Sequence, residues 1–170
     1  MKKFILSTIF TTVAFFGMNA QTYKWWAGGH TTLWAGNPKS AIIIAPEVGY
    51  HLSPKFTVAA SVGIHTEWYS TPSKSVTGLV LNPYMRYTAF KQGMVLGFVD
   101  GGLDLSLGDF NGYQLGFKPG IAVLLTERFT AATQFGFLGY SDGKGLRYRE
   151  KGFGFDFSGY CSTIAFFYSF

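Results

Sequence analysis

The sequence predicts an all-β chain, an eight-stranded antiparallel up-and-down transmembrane β-barrel. Three observations predict it. Of the 170 residues, 19% are aromatic and only 14% charged, against roughly a quarter charged in soluble domains. After residue 20 no stretch is apolar for the ~18 residues that a membrane-crossing helix needs. Ala41–Ile44 comes closest and is stopped by Pro46 and Glu47. Apolar and polar residues instead alternate along eight segments, as they do in strands with one apolar face. Such a chain is explained if the apolar face of a closed sheet meets lipid.

The first twenty residues stand apart. Lys2 and Lys3 form a basic start, Phe4 to Gly17 is mostly apolar, and Met18-Asn19-Ala20 puts a small residue before Gln21. This reads as a secretory signal over 1–20 with cleavage after Ala20, leaving one barrel domain over 21–170. A membrane anchor is the alternative, but the run is short and carries Ser7, Thr8, Thr11 and Thr12. The net charge of +5 loses the two charges of Lys2 and Lys3 and becomes about +3. No Lys/Arg cluster suits a phosphate backbone, so nucleic acid is not an expected partner. Cys161 is the single cysteine, which excludes an internal disulfide and a thiolate metal site.

The strands fall near Tyr23–Trp34, Ala41–Leu52, Phe56–Tyr69, Val76–Phe90, Met94–Leu107, Tyr113–Leu125, Phe129–Tyr140 and Phe153–Phe170. Between them, Ser53-Pro54-Lys55, Lys91-Gln92-Gly93 and Thr126-Glu127-Arg128 read as tight turns. Gly36–Ser40, Ser70–Ser75, Gly108–Gly112 and Ser141–Gly152 read as longer loops. Short turns alternating with longer loops match the outer-membrane arrangement, with both termini periplasmic.

The charges assign the faces. In the second strand Ile42, Ile44, Pro46, Val48, Tyr50 and Leu52 oppose Glu47, Gly49 and His51. The third sets Phe56, Val58, Val62, Ile64 and Trp68 against Ser61, Gly63, His65 and Glu67, and the fourth sets Leu79, Leu81, Pro83, Met85 and Tyr87 against Gly78, Asn82, Tyr84 and Arg86. The fifth sets Val99, Leu103, Leu105 and Leu107 against Asp100, Asp104 and Ser106. The sixth sets Leu115, Phe117, Pro119, Ile121 and Val123 against Gln114, Gly116, Lys118 and Gly120. Charges stay on the polar phase, as lipid contact on the other phase demands. A soluble lipocalin-type barrel alternates too, with the faces reversed. Against it stand the few charges and many glycines of the polar face. Trp25, Trp68, Tyr50, Tyr87 and Tyr113 near segment ends fit interfacial girdles.

Pro46-Glu47-Val48-Gly49-Tyr50, Asn82-Pro83-Tyr84-Met85-Arg86-Tyr87, Lys118-Pro119-Gly120, Phe137-Leu138-Gly139-Tyr140 and a terminal aromatic-Ser-Phe occur in order along the chain. In this the chain resembles the small outer-membrane β-barrel family of Gram-negative bacteria, related in shape to OmpA- and OmpX-type barrels. The resemblance implies an eight-stranded barrel in the outer membrane, but no shared activity, since a fold does not supply one. Ile164, Phe166, Tyr168 and Phe170 resemble the terminal signal read by the barrel-assembly machinery, which with outer-membrane lipids is an expected partner.

The ionisable residues expected in the lumen are Lys24, His30, Glu47, His51, His65, Glu67, Arg86, Asp100, Asp104 and Lys118. Arg86 and Lys118 are expected to pair with Glu47, Asp100 or Glu67. Such pairs either plug the lumen, which eight strands leave just wide enough for side chains, or form a gate for small solutes. The plug is the main expectation: a structural or surface-interaction protein, not an enzyme. A narrow pore is the alternative and a lipid-modifying hydrolase the third reading. His65, Glu67 and Ser61 share a face, but positions two apart stand nearly 7 Å apart. A direct His65–Glu67 bond is therefore not expected. No metal or cofactor is expected, because the three histidines lack ligand spacing. The charged loop 141–152 can meet a surface ligand, and Cys161 is expected to point inward.

The closing strand carries one irregularity. Phe153, Phe155 and Phe157 are odd-numbered, whereas Tyr160 to Phe170 place aromatics at even positions. A β-bulge near Ser158-Gly159 is expected, turning Asp156 toward the lumen or rim. Alternatively, Phe153–Phe157 stands above the membrane in the loop-side hairpin.

Overall fold

The computed structural model describes residues 23–37, 39–70, 73–144, 151–157 and 163–170. The expected signal over 1–20, the expected bulge at Ser158-Gly159, Cys161 and most of the last loop fall outside them. The described strands are β1 (Trp25–Trp34), β2 (Lys39–His51), β3 (Phe56–Ser70), β4 (Ser73–Gln92) and β5 (Val95–Gly108). They continue as β6 (Asn111–Leu124), β7 (Phe129–Gln134), β8 (Phe137–Lys144), β9 (Gly152–Asp156) and β10 (Thr163–Ser169). All pairings are antiparallel. β7 with β8 make one stave of the wall and β9 with β10 another, so ten segments form eight staves. β1 on β10 and β5 on β6 close the ring.

Cross-strand partners can be followed from Gly97 through Ile121, Thr133, Ile164, Thr31, Ile44, Ile64 and Leu79 to Leu107. One circuit climbs ten positions along β5. That stagger tilts the strands and leaves an interior that side chains fill.

The faces follow the alternation. Ile44, Val62, Ile64, Leu115 and Phe117 are exposed on the outside, while Glu47, His65, Glu67, Asp100, Asp104 and Gln114 are buried inside. Inside, large rings lie flat on neighbouring glycines. A Cβ at Gly49 would come within 2.2 Å of Trp26, one at Gly120 within 2.3 Å of Phe98, and those at Gly116 and Gly139 within 2.8 and 2.9 Å of Phe137. The inward glycines thus make room for aromatic filling. Trp26, Phe98, Ala122, Ala132, Ala165 and Phe167 form the apolar core.

Two staves are irregular: the seventh departs from expectation, whereas the change of phase in the eighth was expected. The seventh, expected as one strand to Tyr140, reaches Lys144 and breaks at Phe135-Gly136. Gln134 faces Gly120 and Leu138 faces Phe117, four steps against three, so one residue is extra. Gly136 takes it up at φ 85°, the left-handed backbone of a bulge glycine. The inward phase passes from even residues such as Ala132 to odd ones such as Phe137 and Ser141. The eighth stave shows opposite outward phases on the two sides of residues 158–162. Phe153, Phe155 and Phe157 are exposed, and so are Ile164, Phe166, Tyr168 and Phe170. Asp156 pairs with the buried Phe137 and so shares the inward side.

Candidate functional site

The candidate site is the polar lumen, and β4 and β5 build its centre. Arg86 and Asp100 are direct cross-strand partners. The Arg86 guanidinium grips the carboxylate twice, Nε to Oδ1 at 2.7 Å and Nη2 to Oδ2 at 2.8 Å. The Phe98 ring lies 3.9 Å from the guanidinium, with Tyr84 and Phe167 each at 5.5 Å. Asp100 also accepts from Gln134 Nε2 at 2.6 Å, and Gln134 in turn accepts from Thr163 at 3.2 Å. On the other side Arg86 Nη2 donates to the Tyr84 hydroxyl at 3.4 Å, and that hydroxyl donates to Glu47. His30 Nδ1 meets Glu47 at 3.0 Å. A continuous chain from His30 to Thr163 thus crosses the lumen through six strands. Around it lies a cavity of about 10 Å³, lined in part by His30, Glu47, Arg86 and Gln134, about the size of one water.

Two further groups lie away from this chain. Asp104 on β5 accepts from Lys118 on β6 and from Asn82 on β4. Glu67 accepts from Lys39 and the Tyr69 hydroxyl, and His65 Nε2 stands 3.3 Å from it. Phe110, between β5 and β6, is buried and stacks on His65 with ring centroids 4.5 Å apart and planes 8° from parallel. Toward the tight-turn end His51 Nδ1 meets Thr57 at 2.7 Å. Among the described residues, Ser106 Oγ is buried without a hydrogen-bond partner.

Glu47, Glu67, Arg86, Asp100, Asp104 and Lys118 therefore all reach the lumen, in three groups rather than one network. Arg86 has one of its expected partners, but Lys118 takes Asp104 instead of Glu47, Asp100 or Glu67. Lys24 is exposed at the tight-turn end, not in the lumen, because β1 begins just beyond it. The expectation that His65 and Glu67 stand too far apart is also overturned. Their long side chains lean toward each other and close most of the backbone spacing.

Lys39, which the sequence places in the loop Gly36–Ser40, lines the lumen instead. Extending the inward phase of Glu47, Ala45 and Ile43 back along β2 lands on it. The neutral partners Tyr84, Asn82, Gln134 and Thr163 share inward phases too, whereas Phe110 gave no periodic signal. Among the described residues no group of three or more His, Cys, Asp or Glu is arranged to hold a metal ion.

Each of the four carboxylates has at least two donors, and buried ions require that satisfaction to offset lost hydration. Fold and interior together define a closed eight-stave barrel, apolar outside and filled by paired charges inside. The chain matches no protein-family model and no curated protein.

Proposed function

We propose that this chain is an integral outer-membrane β-barrel of the OmpA- and OmpX-like kind, with a structural or surface-interaction role and a plugged lumen. It is exported by its signal, inserted by the barrel-assembly machinery, and stands with both termini in the periplasm. The carrying observation is the inverted polarity: apolar side chains wrap the outside while Arg86, Asp100, Asp104 and Lys118 pair within. Heat-modifiable migration in detergent gels and co-fractionation with outer membranes are expected. Recovery as a soluble periplasmic protein overturns the reading.

The small cavity beside Arg86 and Glu47 favours one second reading, a gated pore whose paired charges exchange partners. Planar bilayers separate the two. A plugged barrel gives no reproducible single-channel steps, and such steps from the unmodified protein favour the pore. A lipid-modifying hydrolase has less support, since His65 is buried and stacked under Phe110. Lipid A mass spectra unchanged by the protein would exclude it for that substrate.

A further inference from the structure

The tight-turn rim carries a repeated unit. Each of the three tight turns, and the start of β1, has one exposed cation beside one exposed aromatic in sequence: Lys24 with Trp25, Lys55 with Phe56, Lys91 with Phe90, and Arg128 with Phe129; β10, which also reaches this end, carries no cation there. Three of the aromatics belong to a band of ring contacts, Trp25 on Tyr50 at 4.8 Å, Phe56 on Tyr87 at 5.2 Å and Phe129 on Phe166 at 5.9 Å. Aromatic bands of this kind sit where hydrocarbon meets headgroups, so the adjoining cations stand at headgroup height.

These cations also differ from the others in their partners. Lys39, Arg86, Lys118 and Lys151 each hold a carboxylate. Of the described cationic side chains away from the rim, only Lys74 has no carboxylate. At the rim none of the four is in an ion pair among the described residues. Glu127 is the one acidic side chain in the turns, against the three cations there and Lys24 before β1. Arg128 is held in place, donating to the Tyr23 hydroxyl at 2.8 Å and the Tyr168 hydroxyl at 3.1 Å.

We infer that this rim is a binding ring for anionic phospholipid headgroups of the facing leaflet, each cation taking a headgroup phosphate while its aromatic neighbour anchors among the acyl chains. The inference rests on the membrane-barrel reading and adds to it a lipid class and an address. The attraction is electrostatic and near-surface, on the order of five-fold in affinity per cation, and salt weakens it beyond about 8 Å at physiological ionic strength.

The test uses the full chain, purified in mild detergent with equal amounts of phosphatidylglycerol and phosphatidylcholine, and counts retained lipids by native mass spectrometry. The unmodified protein is expected to retain phosphatidylglycerol several-fold over phosphatidylcholine, less so as salt rises. Lys24→Gln/Lys55→Gln/Lys91→Gln is expected to lose most of that preference while staying heat-modifiable, and Lys74→Gln at the opposite end to keep it. Arg128 is left intact because its tyrosine contacts tie the rim together. Equal retention of both lipids by the unmodified protein overturns the inference, as does a preference that survives the triple substitution or vanishes with Lys74→Gln. Failure to insert into vesicles of either lipid instead overturns the membrane reading itself.

Discussion

At the residue scale, Arg86 is the side chain on which most of the lumen converges. Removing it strands Asp100 in the interior with Gln134 as its remaining described partner. Breaking a buried pair from one side costs about 3–5 kcal/mol. Arg86→Ala should therefore lower the urea midpoint of the folded gel band sharply, and Arg86→Ala/Asp100→Ala should recover part of the loss. Lys151 offers the contrast. The Asp142 carboxylate 3.1 Å away raises its ammonium pKa above the ordinary lysine range. The small stabilisation is complete below that range and is lost only as pH rises through the raised value. The pair stands in solvent, so Lys151→Ala should leave the urea midpoint at neutral pH unchanged. Which face each charge takes was legible in the sequence, because period two leaves little choice once a face is apolar. Partner choice was not. Lys118 reaches diagonally to Asp104 although its direct cross-strand neighbour is Asp100, and side-chain length is invisible to an alternation argument.

At the element scale, the informative feature is the bulge at Gly136. Its backbone lies at φ 85°, and an added Cβ would meet the Phe157 ring at 2.6 Å. Gly136→Ala combines strain with overlap and should destabilise the folded band by about 1–3 kcal/mol, read as a shift in the urea transition. The same clue that exposed the phase change in the last stave was present here. Phe129, Ala131, Thr133 and Phe135 are odd-numbered, whereas Leu138 and Tyr140 carry the outward face on even numbers. Applied to residues 129–140, that comparison would have divided the seventh stave too. The extension of β2 to Lys39 and of β4 back to Ser73 was less legible, since the polar residues there resemble loop.

At the scale of the whole molecule, the question is which solvent the outer face meets. Val62 is 50% exposed at the centre of β3, six positions from both Phe56 and Trp68 on the outward phase. In a bilayer, Val62→Arg near the midplane should cost about 2–4 kcal/mol. On a water-facing surface the same exposed change would stay within about 0.5 kcal/mol. Urea titration of the variant refolded in lipid vesicles separates these outcomes. The eight staves and their facing were legible because one rule repeats around the ring. The Phe110 stopper was not, because a single loop residue turning inward leaves no repeat.

The ladders of the wall are unequally complete, and that has a mechanical consequence. The β3–β4 ladder runs through fifteen consecutive register pairs, whereas the β2–β3 ladder skips Ala45 and Pro46, between Ile44↔Ile64 and Glu47↔Ser61. Proline has no N–H to lend to a ladder, so this stretch of wall is a hoop with a loosened rivet. Spontaneous breathing should therefore start as a slit between β2 and β3 at that height, with the rest of the cylinder acting as the spring that shuts it. In native-state hydrogen exchange, the amide of Val62, level with Pro46, should trade deuterium well before those of Ser61 and Gly63 in the unbroken ladder with β4. Uniform protection along β3 would mean that the cylinder opens as a single piece.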